Sequence, residues 1–185
     1  MQSEIVIAGF GGQGVLFAGQ MLAYAAMESG KEVTWFPSYG PEMRGGTANC
    51  TVIISDEEIG APLVRNPTAV LAMNLPSLEK FAHLVKPGGT LVINASLIDH
   101  PVDRDDIDIV TVPATELAET LGGKRLANMV MLGALLAVRP VLLMEALKAA
   151  VANHLPERHR HLLDLNMEAL DEGQAYILTV HMPIP

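Results

Sequence analysis

Cysteine is nearly absent. Cys50 stands alone in 185 residues, which excludes an internal disulfide and any Cys-x-x-Cys ligand pair for zinc or an iron–sulfur cluster, and fits a reducing cytoplasm. Aromatic residues make up 4% of the chain against 50% hydrophobic residues overall, so Ala, Val, Leu, Ile and Met must build the core, a composition suited to tightly packed α/β layers. Basic residues are outnumbered, 12 Lys and Arg against 21 Asp and Glu, for a net charge of -9. Without a basic stripe, nucleic acid is not expected as a partner. Long apolar runs are missing too: the longest, Met129 to Val138, falls well short of the roughly 18 residues that cross a bilayer and reads as a buried helix, so no membrane partner is expected. Met1-Gln2-Ser3-Glu4 lacks the basic start of an export signal, and a cytoplasmic location is expected. No repeat or composition break divides the chain, so one domain over residues 1–185 is expected.

What is present alternates between short apolar runs and helical spacing. Glu4 to Ala8 is a β-rich run ending in glycine, and the segment from Gly12 to Ser29 places Val15, Leu16, Gly19, Leu22, Ala23 and Ala26 at helical intervals before Gly30. Glu32 to Phe36 supplies a second strand, and Thr47 to Ser55 a third, with Ala48, Cys50, Val52 and Ile54 alternating against Thr47, Asn49, Thr51 and Ile53. Ala69 to Met73, Pro76 to Val85, a Lys86-Pro87-Gly88-Gly89 turn and Thr90 to Asn94 spell strand, helix, turn, strand. Ile107 to Val112 is the last expected strand, and Thr115 to Leu121 follows Pro113 as a helix. Three further helices are expected over Leu126 to Val138, Pro140 to Asn153 and Pro156 to Asp171, with Gly173 ending the last and Tyr176 to His181 forming an extended arm. The rhythm predicts an α/β Rossmann-like open twisted sheet, mostly parallel, with helices on both faces and a helical C-terminal third.

Two glycine-rich segments carry the functional signal. Gly9-Phe10-Gly11-Gly12-Gln13-Gly14 follows the first strand and fits G-x-G-x-x-G at Gly9, Gly11 and Gly14. It reads either as a cradle whose N–H groups and helix dipole attract a pyrophosphate, or as a tight turn with no ligand. A nicotinamide dinucleotide would also require an acidic residue closing the second strand; Trp35-Phe36-Pro37-Ser38 has none. Leu84 to Ile93 is superficially like a methyltransferase stretch, but the acidic residues of such a site are again missing. The second segment, Tyr39-Gly40-Pro41-Glu42-Met43-Arg44-Gly45-Gly46, leaves the carboxyl end of the second strand, at the edge where open α/β sheets bind ligands. Arg44 offers a planar fork for phosphate or carboxylate and Gly45-Gly46 a backbone anion nest, unless Arg44 simply pairs with Glu42 at the surface.

Read together, these residues resemble the gamma subunit of the 2-oxoacid:ferredoxin oxidoreductases, thiamine-dependent enzymes that oxidise pyruvate, 2-oxoglutarate, 2-oxoisovalerate or indolepyruvate. The resemblance rests on Gly9 to Val15, Ser38 to Thr47, Val52 to Ser55 and Asn128 to Gly133, with Asn166 to Gly173 similar to the closing helix. It implies a subunit of a heteromeric enzyme that turns a 2-oxoacid, with 2-oxoglutarate favoured, into acyl-coenzyme A and carbon dioxide while reducing ferredoxin. Thiamine diphosphate, magnesium and iron–sulfur clusters would sit on alpha, beta and, where present, ferredoxin-like delta partners, because this chain has neither a Gly-Asp-Gly start to a thiamine site nor a cysteine array. No catalytic residue and no metal are expected on this chain. Coenzyme A phosphates are the expected ligand at the subunit edge, with Gly9, Gly11, Gly12, Gln13, Gly14, Tyr39, Gly40, Arg44, Gly45, Gly46 and Asn128 as candidate contacts. Self-association is expected when the chain is isolated. The alternatives are a free-standing nucleotide-binding oxidoreductase or methyltransferase, and a purely architectural subunit.

Three smaller features complete the reading. Asn128 opens a helix, and capping it is preferred over facing the cleft. Cys50, inside an alternating strand, is expected to be a buried inert thiol. His154, His159 and His161 do not share a helical face and are interleaved with Arg158 and Arg160, so a solvated charged stretch is expected rather than a metal site.

Overall fold

The computed structural model describes residues 1–38 and 47–180. Its strands are β1 (Gln2–Phe10), β2 (Glu32–Ser38), β3 (Thr47–Ser55), β4 (Ala69–Ala72), β5 (Thr90–Asn94) and β6 (Asp108–Val112); its helices are α1 (Val15–Glu28), α2 (Leu75–Phe81), α3 (Ala114–Leu121), α4 (Ala127–Val138), α5 (Met144–His154) and α6 (Leu163–Val180). The strands form one six-stranded sheet in the order β2-β3-β1-β4-β5-β6. β1, β4, β5 and β6 run parallel, while β3 lies between β1 and β2 and is antiparallel to both. The expected open, mostly parallel α/β sheet is therefore present, with one reversed strand interposed. Among the described residues no helix is long and apolar enough to cross a membrane.

Alternation along the strands sorts the core into two parts. Ile5, Ile7, Cys50, Val52, Ile54, Leu71, Val92 and Val110 point to one face, where α1, α3, α4, α5 and α6 cover them. Val6, Ala8, Val70, Ala72, Leu91 and Ile93 point to the other, where Leu78 and Phe81 of α2, with Val85 and Ile98, form a smaller cluster. Each fully buried aliphatic side chain contributes roughly 1.5–3 kcal/mol, so the first face dominates stability.

Glycines set one helix end and one crossing. Gly30, at φ 76, closes α1 by donating to the Met27 carbonyl while Lys31 donates to that of Ala26, a Schellman arrangement. Gly173 does not end the last helix as the sequence suggested: α6 continues to Val180, so Tyr176 to Val180 are helical rather than an extended arm. The reason is packing. A Cβ on Gly173 would overlap the Val130 carbonyl, and one on Gly133 the Leu170 carbonyl, so each glycine lets the other helix's backbone approach. The helix expected from Pro140 starts instead at Met144. Arg139 leaves the helical conformation at φ -135 and ψ 85, and Val141 donates back to its carbonyl at 2.7 Å, closing a tight turn about Pro140.

Candidate functional site

The carboxyl edge of the parallel strands is where β1 turns into α1. Gly12 (φ 93) and Gly14 (φ 72) take backbone conformations that a side chain would strain. Gln13 donates its backbone N–H to the Phe10 carbonyl at 3.2 Å, while its side-chain Oε1 accepts from the Phe10 N–H at 2.6 Å. A residue between two flexible glycines thus clamps the turn from inside. Gly9 is tightly enclosed, since a Cβ there would sit 2.6 Å from Gln13 Oε1 and 2.8 Å from Met73 Cβ.

Further amides extend the clamp across the edge. Asn74 Nδ2 donates to Gln13 Oε1 at 3.3 Å while its Oδ1 accepts from the Ser77 N–H at 2.9 Å, capping α2. Gln13 Nε2 donates to the Met73 carbonyl at 3.4 Å. Asn94, at the end of β5, donates to Thr115 Oγ1 at 2.9 Å and accepts from the Thr115 N–H at 3.4 Å, which ties β5 to the start of α3. Asn74, Asn94, Thr115 and Asn128 are all buried. Their unmade hydrogen bonds would each cost about 1–3 kcal/mol, so the network fixes one arrangement of the loops.

Asn128 ties the glycine turn to the first turn of α4, though not from the N-cap position expected for it. Leu126 occupies the N-cap position without a side-chain bond, while Asn128, two residues further in, accepts from the Met129 N–H through Oδ1 at 2.9 Å and donates through Nδ2 to the Gly14 carbonyl at 3.0 Å. The close fit leaves no room for a Cβ on Gly14. Sequence reasoning missed Asn74, Asn94 and Thr115. Their visible signal was an asparagine at or just after the carboxyl end of two successive strands, one of them ahead of a helix-opening Pro76.

Gly11 and Gly12 face solvent, and the first turn of α1 carries no acidic side chain. The clamp consists of amides and a hydroxyl, none of which titrates. Its chemistry is hydrogen bonding and the positive end of a helix dipole, conditions that favour an anion.

Tyr39, Gly40, Arg44, Gly45 and Gly46 lie outside the described residues. Their flanks are described: β2 ends at Ser38, opposite Asn49, and β3 begins at Thr47, opposite Phe10. The second glycine segment therefore rejoins the sheet on the strand beside the first. The interposed β3 also separates β2 from β1, whereas a dinucleotide site needs the end of β2 immediately next to the glycine turn to reach the ribose. This geometry adds a topological obstacle to the missing carboxylate.

Cys50 is buried on the helix-covered face, and burial pushes its thiol up to about 12. The inert thiol is as expected. Of the histidines, His154 is not simply solvated: it stacks on Tyr24 at 3.8 Å between ring centroids and meets Glu28 Oε1 at 2.6 Å. No group of three His, Cys, Asp or Glu residues suited to a metal ion occurs among the described residues.

Together these features define an open α/β protein with a rigid glycine edge that departs from dinucleotide-binding sheets by one reversed strand. The chain belongs to the pyruvate ferredoxin/flavodoxin oxidoreductase family, whose model matches residues 4–176, and within it to the gamma-type subunits of the 2-oxoacid:ferredoxin oxidoreductases. It is 39% identical over 171 residues to ketoisovalerate oxidoreductase subunit VorA of Methanothermobacter marburgensis, covering 92% of this chain but only 35% of that relative. It thus spans about a third of the VorA chain. The 2-oxoglutarate synthase subunit KorC of the same organism is 38% identical over 185 residues, covering 94% of this chain and 100% of the relative. Among solved structures, the keto/oxoacid ferredoxin oxidoreductase gamma subunit from Geobacter sulfurreducens superposes with a TM-score of 0.83 at 32% identity, covering 96% of this chain and 99% of that one. The 2-oxoglutarate:ferredoxin oxidoreductase from Magnetococcus marinus, solved with 2-oxoglutarate, coenzyme A and succinyl-CoA bound, superposes with a TM-score of 0.87 at 26% identity, covering 97% of this chain and 31% of that one.

Proposed function

We propose that this chain is the gamma subunit of a 2-oxoglutarate:ferredoxin oxidoreductase, that it docks on thiamine-bearing alpha and beta chains, and that its glycine edge holds the phosphate-bearing part of coenzyme A. The observation that carries the reading is the pairing of Phe10 with Thr47, which brings the two glycine segments to adjacent strands at one edge. End-to-end correspondence with KorC favours 2-oxoglutarate over 2-oxoisovalerate and pyruvate.

The residues present fit coenzyme A phosphates. Exposed backbone at Gly11 and Gly12 and an α1 terminus free of acidic side chains offer N–H donors without repulsion. Arg44 is assigned as the guanidinium that reaches the same anion. When bound, coenzyme A supplies the thiol that accepts the acyl group. This chain's part is to orient it: Gln13, Asn74 and Asn128 hold the turn in shape so that the backbone donors are set before the ligand arrives. An iron–sulfur cluster does not fit, because the lone cysteine is buried and kept protonated, and a thiamine–magnesium site does not, because the sequence offers no Gly-Asp-Gly to start one. Those groups are assigned to the partner chains.

Reconstitution tests the reading. Alpha and beta partners should lose coenzyme A-dependent ferredoxin reduction without this chain and regain it on its addition, with kcat/KM for 2-oxoglutarate about tenfold or more above that for 2-oxoisovalerate or pyruvate. In the assembled enzyme, Arg44→Ala should raise the KM for coenzyme A by about tenfold, the loss of one charge-assisted contact. Impaired assembly with an unchanged KM would make the subunit architectural. Turnover by the purified chain alone would make it a free-standing enzyme.

A further inference from the structure

The chain is acidic overall, yet one open cavity in it is lined by basic side chains. It has a volume of about 640 Å³ and lies between the α3–α4 connection, residues 122–126, and the segment from Arg158 to Leu165. Lys124, Arg125, Arg158, His159 and His161 line it, and no Asp or Glu does. Three of the chain's 12 Lys and Arg residues thus share one hollow, in a molecule where acidic groups are nearly twice as common. A concavity lined by one sign of charge focuses the field and concentrates counter-ions.

The pairing pattern argues against a merely solvated stretch. Arg160 turns away from the cavity: its Nη1 donates to the Ala152 carbonyl at 2.8 Å, and its Nε lies 3.7 Å from Glu157. Its neighbour Arg158 lines the hollow and donates through Nε to His159 Nε2 at 3.2 Å. Among the described residues neither Arg158 nor Arg125 has a carboxylate within ion-pair distance, and only Lys124 is matched, by Glu119 at 3.0 Å. Two guanidiniums are therefore left to face the hollow from opposite walls. Gly123, at its rim, has open space where a Cβ would be, so packing does not demand glycine there and the missing side chain widens the entrance.

We propose that this cavity binds a cluster of phosphates, the di- or polyphosphate portion of a small ligand. Arg125 and Arg158 bring to one hollow two planar forks of the kind that grip phosphate oxygens bidentately, with His161 beside them. The volume suits a small molecule rather than a single ion. The site is separate from the glycine turn but joined to it: Leu126 lines the cavity, and two residues on Asn128 bonds to Gly14. Occupancy there bears on the first turn of α4 and hence on the shape of the glycine edge.

Calorimetric titration of the full chain with inorganic pyrophosphate at low ionic strength tests the assignment, with sodium sulfate of matched ionic strength as control. Saturable pyrophosphate binding is expected, weakened about tenfold or more in Arg125→Ala/Arg158→Ala. The remote substitution Lys148→Ala should leave it unchanged. Both substituted arginines are exposed, so thermal midpoints should stay close to the parent. Should the pair unfold the chain, single Arg125→Gln and Arg158→Gln variants give the same readout. Absence of saturable binding, equal binding of sulfate, or undiminished affinity in the variants overturns the proposal. Competition separates the sources: failure of coenzyme A to displace pyrophosphate assigns the cavity to another phosphorylated metabolite, whereas displacement by coenzyme A but not by pantetheine assigns it to the coenzyme and overturns the placing of those phosphates at the glycine edge.

Discussion

The two faces of the sheet solve the burial problem differently. On one, five helices pack over the strands and two of them, α4 and α6, approach so closely that Gly133 and Gly173 meet opposing backbone. Gly19 lets α1 close onto side chains of the sheet, where a Cβ would press on Cys50 Sγ and come within 3.0 Å of Trp35 Nε1. On the other, α2 covers the β1, β4 and β5 strands, while Phe36 on β2 stays 63% exposed and Phe10 at the β1 end 40% exposed. A crowded face fixes the fold. A half-covered face leaves aromatic side chains exposed beside the glycine edge.

The contrast can be tested by breaking the crowded face first. Gly173→Val should destabilise by roughly 3 kcal/mol or more, because the obstacle is a backbone carbonyl that cannot rotate away, lowering the thermal midpoint by roughly 6–12 °C. Calorimetry of the isolated chain measures this, and a drop of a degree or two would mean that α4 and α6 can separate freely. A gentler probe is Cys50 on the same face. With its thiol raised from 9.0 to about 12, alkylation by iodoacetamide at pH 8 should be slowed on the order of a thousandfold relative to the unfolded chain. Rapid labelling of native protein would show that the helices over this face open often. The smallest effect is expected on the sparse face: Phe36→Ser should change stability of the isolated chain by no more than about 0.5 kcal/mol in urea unfolding. The same substitution should lower the yield of the reconstituted complex, and an unaltered yield would detach this face from assembly.

Much of this architecture was legible because it rests on local signals. The run from Ala69 to Met73, the glycine turn at Gly88, and Thr90 to Asn94 all fall where short apolar runs and turn residues predict. Direction and adjacency were harder to read. Thr47 to Ser55 has the alternation of a strand, but nothing local says that it reverses and inserts beside β1, since that choice is made by pairing with Gln2 to Phe10. Gly173 has the look of a helix stop until its partner across α4 is known, and the same ambiguity applies to Asn128, whose amide is claimed by Gly14, more than a hundred residues away. Glycine and asparagine have both local and tertiary uses, and only the fold selects between them. The first glycine loop was recognisable for the opposite reason: its conformational demands are contained within six consecutive residues.

The reversed strand has one more consequence. Because β2 and β3 are antiparallel neighbours, the stretch between Ser38 and Thr47 has both ends anchored side by side on the ladder. Lengthening such a connection costs little, since each doubling of a flexible loop adds only about 0.6 kcal/mol of closure entropy. If the second glycine segment contributes to coenzyme A binding as proposed, grafting it between homologous chains should change the KM for coenzyme A while the sheet stays as it is.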